Sequence, residues 1–328
     1  VVSLVAAMLL STAITIAVFV CGGGRVHKPG GQLKSLIAES APISALRAST
    51  SLTGVLMAAI TPFLFASTGY THEESLALNG ACAGMAMPLL YLPITVIGSL
   101  SYALIPELGK AAALGRADEV KARTETSVKF SVIVSAACMP MFWGVGREVG
   151  ELLYGDAVAG ETIRQGTFLI IPIALESITS SMMNSLGMEK QGFFNYIIGT
   201  AATIGVMFCF YGNFTINAVV LAMFAGLTLS TVLDIFCIKK HTGISLGFFR
   251  TIFGTCMLAV PCALLAEWTV RLTGGMPSAV GIAAGAAAGT AAILLLMWAF
   301  GFYEGFTVFR KRKKAAAGRI KHLPILYR

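Results

Sequence analysis

Nine apolar stretches, each about twenty residues long and nearly free of charge, leave this chain few ways to fold; they run approximately 1–20, 42–66, 81–104, 126–146, 164–186, 192–211, 215–237, 251–272 and 279–303. A hydrocarbon core about 30 Å thick is crossed by roughly 20 residues of α-helix. In lipid the backbone must pair within its own segment, and the apolar-polar alternation of a barrel strand is absent, so helix is the expected structure. The composition points the same way: 56% of the 328 residues are hydrophobic and 12% charged, against roughly a quarter charged in soluble domains. The expected fold is all-α, a polytopic integral membrane protein with about nine transmembrane helices.

The cations set the expected orientation, because Lys and Arg are retained on the cytoplasmic side. Nineteen of the 24 fall in the connections after the odd-numbered spans: Arg25, Lys28 and Lys34; Lys110, Arg116, Lys121 and Arg123; Lys190; Lys239, Lys240 and Arg250; and eight in the tail from Arg310 to Arg328. The alternate connections hold Arg147, Arg164 and Arg271 among the acidic Glu73, Glu74, Glu148, Glu151, Asp156 and Glu161, and are expected outside, while Arg47 and Lys129 lie within spans. The C-terminus is then cytoplasmic and Val1 external. With neither initiator Met nor cleavable signal upstream of that first span, the chain reads as a fragment whose N-terminal helices are missing.

The net charge of +8 does not imply nucleic acid, since the basic residues sit between apolar runs rather than on a soluble face. Seven cysteines without a CxxC pair or a His at ligand spacing read as packing residues, and no metal site is expected. The four histidines lie in connections or the tail, without HExxH, and no G-x-S-x-G elbow occurs. No catalytic centre is expected, and the chain reads as a transporter rather than an enzyme.

Residues 21–41 contain Gly22-Gly23-Gly24 and Pro29-Gly30-Gly31, the chemistry of a linker, followed by a short amphipathic stretch from Leu33 to Ser40. They lack the GK[ST] ending of a phosphate-binding loop. A second connection, Glu107 to Glu125, mixes charges with alanine as a short amphipathic helix would. The basic tail reads as a topology anchor, with acidic-lipid binding the lesser alternative.

An ionised group at mid-bilayer costs at least about 2.5–3.5 kcal/mol, so charges within spans are the informative ones. Arg47 begins a stripe of small or polar residues at helical spacing, with Ser44, Ser51, Gly54 and Ala58, a face expected to line protein or a water-filled cavity. The competing reading is a cation snorkelling to the headgroups. Glu176 lies near the middle of the fifth span, with Ser180 and Asn184 following at i+4 and i+8 and Thr179 alongside. That stripe could bind substrate hydroxyls or a coupling proton or Na⁺, or could serve only interhelical hydrogen bonding. Asp234, close to Lys239 and Lys240 at a helix end, reads as solvated or locally paired. Pro88 and Pro93, Pro172 and Pro261 each remove a backbone hydrogen bond within a span and are the expected kinks or hinges. Gly281, Gly285 and Gly289 form a small-residue ridge, expected to pack closely on another helix.

Four strings, Gly84-Met-Ala-Met-Pro-Leu-Leu-Tyr-Leu-Pro93, Ala103-Leu-Ile-Pro-Glu-Leu108, Met183-Asn-Ser-Leu-Gly-Met-Glu-Lys-Gln191 and Lys239-Lys-His-Thr-Gly243, resemble the stage V sporulation protein B family. That family belongs to the multidrug/oligosaccharidyl-lipid/polysaccharide (MOP) exporter superfamily, with MurJ and the O-antigen flippases as relatives, and the similarity extends from about Val1 to Tyr303. The resemblance implies two six-helix lobes around a central cavity, often followed by two further helices. On that plan residues 1–20 are the last helix of the first lobe, 21–41 the cytoplasmic linker, 42–238 the second lobe, 239–303 the added pair and 304–328 the tail.

The resemblance further implies a plasma-membrane flippase for a lipid-linked saccharide precursor of the cell envelope, working by alternating access. It offers no universal motif to transfer, so the candidate residues come from the physics: Arg47 for phosphate, with Ser51 beside it, and Glu176, Ser180 and Asn184 for sugar or a coupling H⁺ or Na⁺, with no other cofactor. The expected partners are that lipid-linked saccharide and membrane lipids. A cation-coupled multidrug exporter of the same superfamily is the alternative. A membrane saccharide polymerase or transferase would need larger external loops than the roughly 6 to 20 residues available here, and a noncatalytic cell-wall assembly scaffold is the remotest reading.

Overall fold

In the computed structural model, residues 2–23, 32–243, 248–272 and 278–301 are described. They are helical throughout apart from short turns, with no strand among them. The elements are α1 (Val2–Cys21), α2 (Gln32–Ala66), α3 (His72–Asn79), a π-helical segment Gly80–Ala86, α4 (Met87–Leu90), α5 (Leu92–Ala113), α6 (Ala117–Tyr154), α7 (Ala157–Gly166), a 3₁₀ turn Thr167–Leu169, α8 (Ile170–Ser185), α9 (Glu189–Cys209), α10 (Ile216–Thr242), α11 (Phe248–Leu272) and α12 (Ser278–Ala299). Eight helical stretches among the described residues are long and apolar enough to cross a membrane, and α1 supplies a further, shorter apolar helix, Val5–Cys21. The chain is an all-α, multi-pass membrane protein. Residues 1–42 and 43–328 form separate compact units. The expectations for Gly24, Pro29, Gly30, Gly31 and the basic tail from Arg310 lie outside the described residues.

Within the larger unit, burial sorts the helices. The apolar windows of α6 and of the α7–α8 stretch are 61% and 72% buried, whereas those of α2 and α9 are 22% buried. The first two are therefore the central staves and the others face lipid along much of their length. The outward surfaces of α10, α11 and α12 carry Leu229, Phe236, Phe253, Trp268 and Trp298, all exposed, a surface that only an apolar solvent tolerates. The largest core joins α5, α6, α8, α11 and α12 through Ile97, Val132, Met139, Ile178, Met182, Cys262, Ile293 and Met297. The expected added pair, α11 and α12, packs on α6. A Cβ on Gly289 would lie 2.8 Å from Ala266 Cβ and 3.0 Å from Pro140 Cβ, and one on Gly285 would lie 3.0 Å from the Ala266 carbonyl oxygen. The glycine ridge is a close-packing surface, and Gly281 is buried on the same helix.

The connections differ from expectation in two places. The stretch from Leu33 to Ser40 is continuous with the span that follows it, since α2 begins at Gln32. Instead of a separate amphipathic helix between 107 and 125, α5 runs on to Ala113 and α6 starts at Ala117. Charge pairing explains the extension, because Arg123 reaches Glu107 on the neighbouring helix and also holds Glu119 at 2.7 Å, one turn away. At the far end α6 closes on Gly155 in the left-handed conformation, and Asp156 caps α7 by accepting from the Ala159 amide at 2.9 Å. The α8–α9 turn uses Gly187 at φ 71°, a conformation costly for any residue with a Cβ. Thr71 and Glu74 cap α3 reciprocally.

The prolines act unequally. The amide of Met87 bonds back to the Cys82 carbonyl, five residues upstream, so the wide π register immediately precedes Pro88 and makes room for its ring. The chain breaks again at the Tyr91 turn, just before Pro93. Pro172 lies in the first turn of α8, which follows the 3₁₀ turn, so the fifth span also changes register. Pro261, by contrast, sits within an uninterrupted α11, as Pro106 and Pro140 do in α5 and α6.

Candidate functional site

Glu176 and Arg47, expected on separate polar stripes, face one cavity of about 760 Å³ walled by α2, the π segment and the helices after it, α8, α9 and α10. That volume is in the range of small-molecule sites, roughly 300–1,000 Å³. The α2 wall is a helical face formed by Arg47, Thr50, Gly54, Met57 and Thr61 at spacings of three and four, with Thr53 and Ala58 beside it. Arg47 is exposed there, pairs with no carboxylate among the described residues, and so is a free guanidinium at the cavity's edge. Of the expected stripe, Arg47, Gly54 and Ala58 line the cavity; Ser51 is exposed but, like Ser44, is not among the lining residues, and Thr50, Thr53, Met57 and Thr61 take that part of the wall.

The cavity is unequal along its length. From Ile43 to Ile60 no described side chain of α2 is fully buried, whereas Leu64 and Phe65 are 0% and 1% exposed. They pack with Met207, Phe214 and Ala218, and the Phe65 and Phe214 rings meet edge-on at 5.0 Å. The Gly212 amide adds a hydrogen bond to Ser67 Oγ at 3.3 Å. The cavity is thus plugged by apolar side chains at the C-terminal end of α2 and unplugged at the Arg47 end.

Glu176 reaches the cavity from α8, and its carboxylate is held by α10: Ser230 Oγ donates to Oε1 at 3.1 Å and Thr231 Oγ1 to Oε2 at 3.2 Å. One turn further along α10, Asp234 accepts from Asn195 Nδ2 of α9 at 2.8 Å and from Thr179 Oγ1 of α8 at 3.2 Å. Asp234 is 2% exposed, which overturns the solvated alternative and its place at a helix end and leaves it paired, with Asn195 and Thr179. The reason is length: α10 continues to Thr242, so Asp234 lies two turns inside it. Two carboxylates are therefore held by hydroxyl and amide donors from three helices, with no Lys or Arg paired to either among the described residues. Such a pair can balance its charge by taking up a proton or a small cation.

The close approach of α9 and α10 makes this geometry feasible. Gly226 lies so near α9 that a Cβ there would stand 2.5 Å from the Gly199 carbonyl oxygen, and a Cβ on Gly199 would stand 2.7 Å from that of Gly226. This draws Ser230, Thr231 and Asp234 in beside Asn195 and Glu176. Of the expected polar stripe on α8, Glu176 lines the cavity and Thr179 joins the buried network, while Ser180 and Asn184 are half-buried and line neither. The remaining polar lining comes from Ser177 of α8, from Asn79 and Tyr91, and from a stripe on α9 that the sequence reading did not single out, Tyr196, Thr200 and Thr203 at i, i+4 and i+7. Among the described residues no cluster of three or more His, Cys, Asp or Glu could hold a metal ion, and all seven cysteines are free.

No protein-family model matches the chain. It is similar to stage V sporulation protein B of Bacillus subtilis (strain 168), 23% identical over 262 residues, a match that takes in 76% of this chain and 46% of that protein. The chain spans about half the length of this curated relative. No solved structure matches it.

Proposed function

We propose that this chain is the cavity-bearing part of a flippase of the MOP exporter type, which moves a lipid-linked saccharide precursor of the cell envelope across the plasma membrane by alternating access. The observation that carries the reading is the composition of the cavity wall: one unpaired guanidinium, one carboxylate, and hydroxyl, amide and phenol groups from five different helices. A pyrophosphate-linked sugar needs that mixture. Arg47 offers a planar fork of donors to phosphate oxygens, which a lysine could not match in geometry. The threonines, Asn79, Tyr91 and Tyr196 offer hydrogen bonds and aromatic faces to sugar hydroxyls and ring faces. The lipid tail stays in the bilayer, outside the cavity. Glu176 with Asp234 is the place for a coupling H⁺ or Na⁺, so Ser180 and Asn184 are assigned no contact with substrate or ion.

The reading is tested by native mass spectrometry of the purified chain in lipid nanodiscs containing an undecaprenyl-pyrophosphate-linked saccharide. Arg47→Ala should weaken binding about tenfold or more, the loss of a charge-assisted hydrogen-bonding group worth roughly 1.5–3 kcal/mol. Glu176→Gln should leave binding within a fewfold but abolish its dependence on pH or Na⁺. Retention of wild-type binding by Arg47→Ala sinks the site assignment. A cation-coupled multidrug exporter is the second reading, favoured by the carboxylate pair; it predicts tight binding of lipophilic cations, competed by Na⁺ or protons, and none of the saccharide lipid.

A further inference from the structure

The donors around Glu176 and Asp234 cap every carboxylate oxygen once, yet only one of the two groups is within reach of the cavity. Asp234 is 2% exposed and is not among the lining residues; its Oδ1 accepts from Asn195 and its Oδ2 from Thr179. Glu176 is half-buried and lines the cavity, with Ser230 donating to Oε1 and Thr231 to Oε2. A carboxylate offers about four lone-pair sites. Glu176 therefore keeps acceptor capacity on its cavity side after both hydroxyl bonds are made. Among the described residues Asp234 of α10 is the one charged group that acts on it electrostatically. Arg47 of α2, Cys82 of the π segment, Tyr91 at the α4–α5 break and Tyr196 of α9 share its cavity. On the other face of α8, α5 and α6 meet it through Ile97, Val132 and Met139 and set no charged group against Glu176.

The kind of group in this shell selects the ion. A proton on Glu176 needs an acceptor, and both of its hydroxyl neighbours can become one. Within a helix a serine or threonine can turn its hydrogen to the carbonyl four residues back, as Ser181 does to Ser177 at 2.9 Å and Thr203 to Gly199 at 3.2 Å. For Ser230 and Thr231 those carbonyls belong to Gly226 and Leu227 of the same helix, and the freed hydroxyl oxygen then accepts from the protonated carboxyl. Protonation is thus answered by rotating one hydroxyl, with no helix displaced. Na⁺ asks for the opposite, several oxygens converging with their lone pairs on one point. The Asn195 amide nitrogen, 2.8 Å from Asp234 Oδ1, has hydrogens to give and no lone pair, and it closes that carboxylate to a cation. What remains is one reachable carboxylate and two hydroxyls, against the roughly six oxygens that hard cations gather.

We infer that Glu176 is a proton carrier, that Asp234 is a fixed acceptor joining α8, α9 and α10 rather than a second ion site, and that H⁺, not Na⁺, is the ion this cavity couples. The coupling rests on the transport reading above, whereas the proton site is measured without any saccharide lipid, so its failure and the failure of saccharide binding are separate results. The measurement is an infrared titration of the purified chain in dodecyl maltoside, a detergent without a carbonyl. It follows the C=O band of protonated carboxyl groups as the pH falls, identified by its downshift in D₂O. Glu176→Gln should remove one carboxyl's worth of that band, and Asp234→Asn should leave the same component in place. Ser230→Ala with Thr231→Val should move the component to higher frequency, because the protonated group loses its acceptors. Replacing choline chloride by sodium chloride should leave its pH midpoint unchanged. The proposal is overturned by a full band in Glu176→Gln, by loss of the component in Asp234→Asn, by an unshifted component in the hydroxyl double variant, or by a midpoint that sodium moves to lower pH. Should Asp234→Asn or the double variant fail to fold, the parent and Glu176→Gln in the two salts decide alone.

Discussion

Replacing Asp234 separates the packing role of the buried carboxylates from their charge. In Asp234→Leu the Asn195 amide loses its 2.8 Å acceptor and retains only a sulfur contact to Cys237 at 3.7 Å, while Thr179 can fall back on the Glu176 backbone carbonyl at 3.3 Å. Hydrogen bonds between membrane helices average about 0.6 kcal/mol and reach about 1.7. One orphaned amide and one weakened hydroxyl bond therefore amount to about 1–2 kcal/mol. In Asp234→Asn the side-chain oxygen accepts from Asn195, and the new amide donates to the Thr179 hydroxyl, which turns its own hydrogen to the Glu176 carbonyl. Both contacts survive, and the predicted change is below about 0.5 kcal/mol. The assay is thermal unfolding in detergent followed by a thiol-reactive dye, since Cys82 and Cys262 are buried and free and become reactive on unfolding. The leucine variant should melt lower by an amount on the order of 2–6 °C, and the asparagine variant should match wild type. A leucine variant as stable as wild type would mean that the network holds nothing together, and an asparagine variant as damaged as leucine would mean that the charge itself, not the contacts, stabilises the fold.

The close approach of α9 and α10 predicts that Gly226→Ala, whose new Cβ would lie 2.5 Å from a backbone carbonyl, costs about 1–3 kcal/mol, whereas Gly205→Ala on α9, where nothing lies within 4 Å, costs nothing measurable in the same melt. On α12, Gly289→Leu should wedge α12 away from both α11 and α6, read as faster labelling of the buried Cys262 by a thiol reagent than in wild type. The topology expectation predicts that single cysteines placed near Glu74 and near Lys240 are labelled from opposite sides of the membrane; labelling of both from one side contradicts it.

The spans were legible because length and apolarity alone decide them, and so was the face of α2 near Arg47, because a helical stripe is a local pattern. Its centre was harder to place. Arg47, Gly54 and Ala58 of the expected stripe line the cavity, but Thr50 lines it in place of Ser51, one residue and a rotation of about 100° away, and polarity alone does not choose between the two. Asp234 was misplaced because nearby Lys239 and Lys240 suggested the end of a helix that in fact runs to Thr242; the signal that could have corrected it is Ser230, Thr231 and Asp234 sharing one helical face, the counterpart of the stripe on α8. Asn79 and Tyr91 join the cavity only through contacts between helices far apart in sequence, which no local pattern records, whereas Tyr196, Thr200 and Thr203 form a stripe on α9 that the sequence does show. The π segment before Pro88 and the merging of the 107–125 connection into α5 and α6 likewise depend on packing and on the Arg123 pairs rather than on composition.

If the saccharide headgroup sits in the cavity between α2 and α8–α10, it must shield the side chains that line that cavity. The most direct measurement introduces Thr53→Cys on the cavity wall, with Cys21, Cys82 and Cys209 changed to serine, and follows modification by a membrane-impermeant maleimide with and without undecaprenyl-pyrophosphate-linked saccharide. The predicted result is labelling that the saccharide lipid suppresses in the parent and fails to suppress when Arg47→Ala is added. Labelling at the same rate with and without the lipid, under conditions where the lipid is bound, would contradict it.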